Sequence, residues 1–282
     1  MAAIVRTDVP GSATGAAVVT GFSADWLSLR EPADTRARDL SLSTQLVQWA
    51  HRRSPARFID LACGTGANLR YLAPRVGGAQ EWLLVDSDVA LLEKVCAIPG
   101  CEVRTRHVDL ATGLRALEFA PGVIVTASAL LDLVSERWLT QLVEQCCANR
   151  CAALFALSYD GRITLTPSDH DDEWIRGLVN LHQRGDKGFG SALGPSASQR
   201  VRELFEEAGY QVFAARSDWS LVPEEQLLQQ SLLEGWTSAA TELATNESNR
   251  CRQWLARRFA HLATGGLRIE VGHEDVLAVP RD

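Results

Sequence analysis

The chain has 282 residues, of which 46% are hydrophobic and 22% charged, and a formal net charge of −7. That length buries about three quarters of the unfolded surface in one domain, with room for an inserted cap, and the composition is ordinary for a globular protein. The acidic balance argues against nucleic acid as a partner, because a sequence-independent grip needs a basic face, and no apolar run approaches the roughly 18 residues of a membrane span.

In chain order, residues 1–21 are small and polar, with Arg6 and Asp8 interrupting any signal-like apolar core, and read as a flexible tail. Residues 22–54 read as two helices, a short one over 22–29 and a second starting at Pro32-Ala33-Asp34. Strands are then predicted over 57–61, 82–86, 102–107, 122–127 and 152–158, alternating with helices over 66–75, 88–96, 112–118 and 135–149. Such alternation with short connections marks an α/β, Rossmann-like, doubly wound parallel sheet. A polar region over 161–195 contains one helical segment, 174–181. A helix over 196–208, a strand over 210–215, a helical pair over 223–244 and 248–263, and strand-like runs over 267–271 and 275–279 complete the chain. The expectation is one domain over 22–282, its cofactor half at 57–160, and a helical pair (223–263) serving as cap or homodimer surface. The seven cysteines contain no C-x-x-C pair, which predicts free thiols in a reducing cytoplasm and no metal site.

The most informative stretch is Asp60-Leu61-Ala62-Cys63-Gly64-Thr65-Gly66-Ala67-Asn68 at the end of the first predicted strand. A glycine-cornered turn there exposes bare backbone N–H groups at a helix start, and Asp86, ending the second strand, can accept two hydrogen bonds from ribose hydroxyls. Neither the dinucleotide pattern G-x-G-x-x-G nor a phosphate loop is present, and no lysine follows for phosphate charge. The pattern resembles motif I of the class I S-adenosylmethionine (SAM) dependent methyltransferases, with Ala62 in the place of a first glycine, tolerable there if its φ stays negative.

The resemblance covers roughly residues 57–160 and implies a fold and a cofactor. The sheet would have about seven strands, the last antiparallel, under N-terminal lid helices at 22–54. SAM would contact Asp60, Ala62, Gly64 and Gly66 at the turn, and Asp86 and Ser87 at the ribose. Asp109 and Leu110 would lie at the adenine, Ser128 near the sulfonium, and Arg38, in the first turns of the second helix, at the SAM carboxylate. The product would be S-adenosyl-L-homocysteine.

The acceptor site of such a fold lies above the C-terminal strand ends. Ser128-Ala129-Leu130-Leu131-Asp132 departs from the N-P-P-Y sequence of nucleobase amino methyltransferases, which argues against DNA or RNA adenine. Asp132 is a candidate substrate ligand or a helix-start carboxylate. The densest polar run follows the fifth strand, with Tyr159, His170, Arg184 and Lys187 as candidate substrate contacts. Lys187 is one of only two lysines, and four glycines beside it suggest a mobile loop. His182 is the candidate general base, because an unperturbed histidine titrates near neutrality. The acidic run Asp169–Glu173 reads as complementing a helix dipole rather than holding a metal, and His273 as a structural turn histidine. The expected function is methyl transfer from SAM to oxygen or nitrogen of a small polar metabolite. The alternatives are a SAM-consuming cyclisation or lyase reaction, and a protein or RNA methyltransferase.

Overall fold

Apolar runs without polar alternation become the inner strands, as expected where both sheet faces are covered. The computed structural model describes residues 22–281; the tail expected over 1–21 lies outside the described residues. The elements are α1 (Ala24–Ala37), α2 (Leu40–Ala50), β1 (Ala56–Leu61), α3 (Ala67–Val76), β2 (Gln80–Asp86), α4 (Val89–Leu92), β3 (Cys101–His107), α5 (Leu110–Gly113), β4 (Val123–Ser128), α6 (Glu136–Ala148), β5 (Ala152–Thr166), α7 (Asp172–Gln183), α8 (Ala197–Glu207), β6 (Gln211–Arg216), β7 (Trp219–Leu221), α9 (Gln226–Leu243), α10 (Ser248–Ala263) and β8 (Arg268–Val279). The strand order is β3-β2-β1-β4-β5-β8-β6, with β7 added on β8. β1 to β5 run parallel, and β8 is inserted antiparallel between β5 and β6. The order reverses between β1 and β4, so the crevice above their C-terminal ends is where a doubly wound sheet places a ligand.

Three elements differ from expectation in ways that shape the site. The two lid helices divide at Arg38 rather than before Pro32: α1 runs through Pro32, and Asp39 caps α2 by accepting from Leu42 N at 2.7 Å. Arg38 is therefore in the bend between helices, not in a first helical turn. The two closing runs form one strand, β8, in which Ile269, Val271 and His273 alternate onto one buried face. Gly272 suggested a turn, but its role is close approach, since a Cβ there would lie 2.2 Å from Asp160 Oδ1. β5 is also longer than expected, with irregularities after Phe155 and Tyr159, and it carries the cap beyond the sheet.

Burial falls into three apolar clusters. One lies between the sheet and α6 and α8, centred on Val125, Leu139 and Phe205. Another lies under α2 and α3, where Phe58 stacks on Trp82 with ring centroids 4.0 Å apart. The third joins α1, α7, α9 and α10 to β7 and the outer halves of β5 and β8, around Trp219, Trp236 and Trp254. Four helices roof the crevice side of the sheet in this way.

Candidate active site

Asp60 ends β1 with its carboxylate buried. Its Oδ1 accepts from Asn68 Nδ2 at 2.8 Å and Thr126 Oγ1 at 2.7 Å, while Oδ2 has no partner among the described residues. Burial pushes its pKa up to about 6. The chain then turns sharply: Ala62, Gly64 and Gly66 have φ of 50°, 54° and 84°. The condition under which a methyl at Ala62 would be free of strain, a negative φ, is therefore not met. Its methyl is held in the left-handed region because Cys63 N must turn back to donate to Val85 O at 3.0 Å and Gly66 N to Cys63 O at 2.9 Å. Gly64 N donates to Asp86 Oδ2 at 2.8 Å, and Asp88 N to Asp86 Oδ1 at 2.9 Å. Each carboxylate oxygen keeps a further lone pair for a ligand hydroxyl.

The lid closes directly on this turn. A Cβ on Gly64 would lie 2.8 Å from Leu27 Cδ1 of α1. Glu31 of α1 holds Arg70 of α3 through a two-pronged ion pair at 2.7 and 2.6 Å. Arg38, 5% exposed, donates to Asn68 Oδ1 at 2.8 Å, lies 4.4 Å above the Tyr71 ring, and has Nε 3.7 Å from Asp275 Oδ2. Its Nε and second terminal nitrogen donate to no hydrogen-bond acceptor among the described residues. Asn68, read from sequence only as the place of a missing third glycine, is therefore the bridge between Asp60 and Arg38. Asp275 was not anticipated either; it accepts from Leu157 N at 2.8 Å and Asp39 N at 3.1 Å, tying β8 to β5 and to the lid. Among the other expected cofactor residues, Asp109 is exposed and caps α5, accepting from Ala111 N at 2.9 Å and Thr112 Oγ1 at 3.2 Å. Leu110 is buried behind it, Ser87 is exposed after β2, and Ser128 is half-buried at the end of β4.

Of the four non-glycine residues with positive φ among the described residues, three lie along this edge, and the fourth, Arg150, precedes β5 at the opposite one. Ala62 follows β1, Ala129 (φ 54°) follows β4, and Leu157 (φ 56°) sits at the irregularity of β5. Each left-handed non-glycine residue costs about 1–2 kcal/mol, and such residues concentrate where surrounding structure holds a functional geometry.

Asp132 and Tyr159 lie buried beside this edge, and Tyr159 donates to Asn180 Oδ1 at 2.7 Å. The 185–195 loop packs on the segment after β4, with Leu193 N donating to Val134 O at 2.8 Å. Its glycines serve an ordered turn in which Asp186 Oδ1 accepts from Gly188 N and Gly190 N at 2.7 and 3.0 Å. Within it Lys187 Nζ is 3.4 Å from His182 Nδ1, and His182 Nε2 is 3.2 Å from Glu242. Burial and then the Lys187 charge lower the His182 pKa; burial lowers that of Lys187. Lys187 and His182 thus form a pair, and the charge of Asp132 acts on both Lys187 and Tyr159. Arg184 stands apart, exposed after α7. His170 is exposed among the residues that clamp α10: Arg257 holds Asp169 at 2.6 Å and Asp171 at 2.7 Å, Arg250 also holds Asp171 at 2.7 Å, and Arg258 holds Asp172. The acidic run is therefore matched by arginines rather than by a helix dipole alone. A cleft of about 710 Å³ lined by Arg53, Arg57 and Arg150 opens at the opposite edge of the sheet, away from these residues.

No protein-family model and no curated protein matches the chain. Solved structures do. A cyclopropane-fatty-acyl-phospholipid synthase-like protein from Lactobacillus casei superposes with a TM-score of 0.51 at 14% identity, over 91% of this chain and 94% of that one. The cyclopropane synthase MmaA2 from Mycobacterium tuberculosis gives 0.48 at 11% identity, over 91% and 94%. A SAM-dependent methyltransferase from Geobacter sulfurreducens, solved with S-adenosyl-L-homocysteine, gives 0.43 at 14% identity, over 92% and 99%. At 14% identity the likeness to the Lactobacillus casei protein shows a shared fold, the doubly wound sheet with its antiparallel β8.

Proposed function

We propose that this protein binds SAM at the turn after β1 and transfers its methyl group to oxygen or nitrogen of a small polar metabolite. The observation that carries the reading is the hydrogen bond between Gly64 N and Asp86, which holds the bare turn and the acidic strand end as one unit at the point where strand order reverses. The donor set fits an adenosyl amino acid. Asp86 would hold the ribose hydroxyls, the unpartnered nitrogens of Arg38 the carboxylate, and the unpartnered Oδ2 of Asp60 the ammonium. Asp109, Leu110 and Ser87 would border the adenosine, Ser128 the sulfur.

When bound, SAM supplies an electrophilic methyl, and the protein's part is chiefly to hold the acceptor in line with it. Asp132, Tyr159 and Lys187 line the acceptor side. His182, whose pKa burial lowers, is the base we assign for the proton that an oxygen or nitrogen acceptor releases, with Nδ1 taking that proton once the acceptor displaces Lys187 from it. The Lactobacillus casei protein's name refers to a lipid acceptor; the buried charged and polar groups here favour a polar one. Incubation with methyl-labelled SAM and cell extract tests the reading. Labelled small molecules with S-adenosylhomocysteine as co-product are expected. Methylthioadenosine without any acceptor would instead mean displacement on the methionine chain, and label in protein or RNA a macromolecular acceptor.

A further inference from the structure

A second set of buried, unpartnered polar atoms lies under the lid, distinct from Asp60 and Arg38. His273 stands fully buried in the middle of β8, directly cross-strand from Tyr159 of β5. Its ring centroid is 5.2 Å from that of Trp219 and 6.2 Å from that of Tyr159, and neither ring nitrogen has a hydrogen-bond partner among the described residues. Asp132, 1% exposed on the short turn after β4 that packs on β5, likewise has an unpartnered Oδ1. Trp26 of α1 is buried in the same apolar cluster as Tyr159 and Trp219, also with its Nε1 unpartnered. Leaving a buried donor or acceptor without a partner costs about 1–3 kcal/mol, and each such group in a native fold calls for an explanation. Of the elements that carry them, β8 and the turn after β4 both pack on β5, and α1 packs on β7 beside β8.

Resting on the methyl-transfer reading above, we propose that His273 and Asp132 bind the acceptor, and that the acceptor is a small uncharged compound bearing neighbouring hydroxyl groups. Burial disfavours the charged form of both residues. A neutral imidazole offers one donor and one acceptor, and a carboxyl group can do the same, which matches hydroxyls, since each hydroxyl both donates and accepts. Among the described residues, the neighbouring cations are already matched. Arg30, 4.9 Å over the Trp219 ring, is held by both oxygens of Asp34 at 2.8 and 3.0 Å. The charge of Lys187 is opposed by that of Glu242.

The test is NMR of ¹⁵N-histidine-labelled protein titrated with glycerol and with myo-inositol, and with succinate and glycerol 3-phosphate as charged controls. The His273 imidazole signals are those missing from His273→Gln. A saturable shift of these signals with at least one polyol and with neither anion is expected. Asp132→Asn, nearly isosteric, is expected to weaken that response at least tenfold while leaving SAM affinity by calorimetry unchanged. Polyols that leave the His273 signals unmoved, an anion that moves them, or an unaltered response in Asp132→Asn would overturn the inference. Protein that binds SAM but gives no polyol shift refutes this assignment alone. Protein that gives the shift but binds no SAM supports the pocket and refutes the methyl-transfer reading.

Discussion

Asp60 shows most directly how one residue links stability and ligand binding. Its carboxylate is buried with one oxygen saturated by Asn68 and Thr126 and the other bare. Because burial raises its pKa from 3.8 to about 6, the folded state binds the proton more tightly than the unfolded state does. The penalty for burying the charge is thus present above pH 6 and fades as pH falls towards 4. Asp60→Asn keeps the acceptor oxygen and loses the charge. Its stability relative to wild type should shift in its favour by about 2–3 kcal/mol between pH 4 and pH 8, read from denaturant midpoints at the two values. A pH-independent difference would mean that Asp60 is not buried in this way. Ala62 makes a simpler case. Its methyl sits at φ 50°, so Ala62→Gly should raise stability by about 0.5–1 kcal/mol, the relief of left-handed strain outweighing added chain entropy; a lower melting temperature would contradict that backbone geometry.

Among the elements, the cap is fastened to the sheet by charge as well as by apolar burial. Arg258 of α10 is fully buried and reaches Asp172 and the carbonyl of Pro167. Truncating it leaves a partly buried carboxylate unmatched, a loss that typically costs 3–5 kcal/mol. Arg258→Ala should therefore lower stability by about 3 kcal/mol and raise hydrogen exchange in α10 and at the start of α7, while β1 to β4 stay protected. Uniform loss of protection over the whole sheet would argue against a cap held locally. The inner strands β1, β2 and β4 were legible in the sequence because their apolar runs are short and bounded by glycine or aspartate, whereas the helices expected over 88–96 and 112–118 shrink to the four-residue α4 and α5. The lid and β8 were not legible. Pro32 read as a helix start when it is tolerated inside α1, and His273 read as a turn residue when the strand runs on through it, Gly272 making room for Asp160. A local signal does not say whether a glycine bends the chain or lets another strand approach.

For the molecule as a whole, the turn and the acidic strand end were legible because the chemistry of that unit is contiguous in sequence. The bridge that completes it was not, because Thr126 and Asp275 meet Asp60 and Arg38 only through the sheet order, and Arg38 meets Asn68 only through the packing of the lid. His273 escaped for the same reason: it looks like a loop histidine until β8 pairs it with Tyr159. The strained Ala62 and Ala129, the lid on Gly64 and the bridge from Asp60 to Arg38 gather at the ends of β1 and β4, while Leu157 and the buried atoms of His273 lie on the β5 and β8 side. The cleft of Arg53, Arg57 and Arg150 lies at the other end of the sheet and takes no part. Calorimetric titration of SAM into the wild-type protein and into Asp86→Ala tests the convergence at β1 and β4 most directly. Saturable one-to-one binding is predicted for the wild type, weakened by about 1–3 kcal/mol in the variant, or roughly five- to 150-fold in Kd. Absence of binding to the wild type, or equal affinity in both proteins, would contradict it.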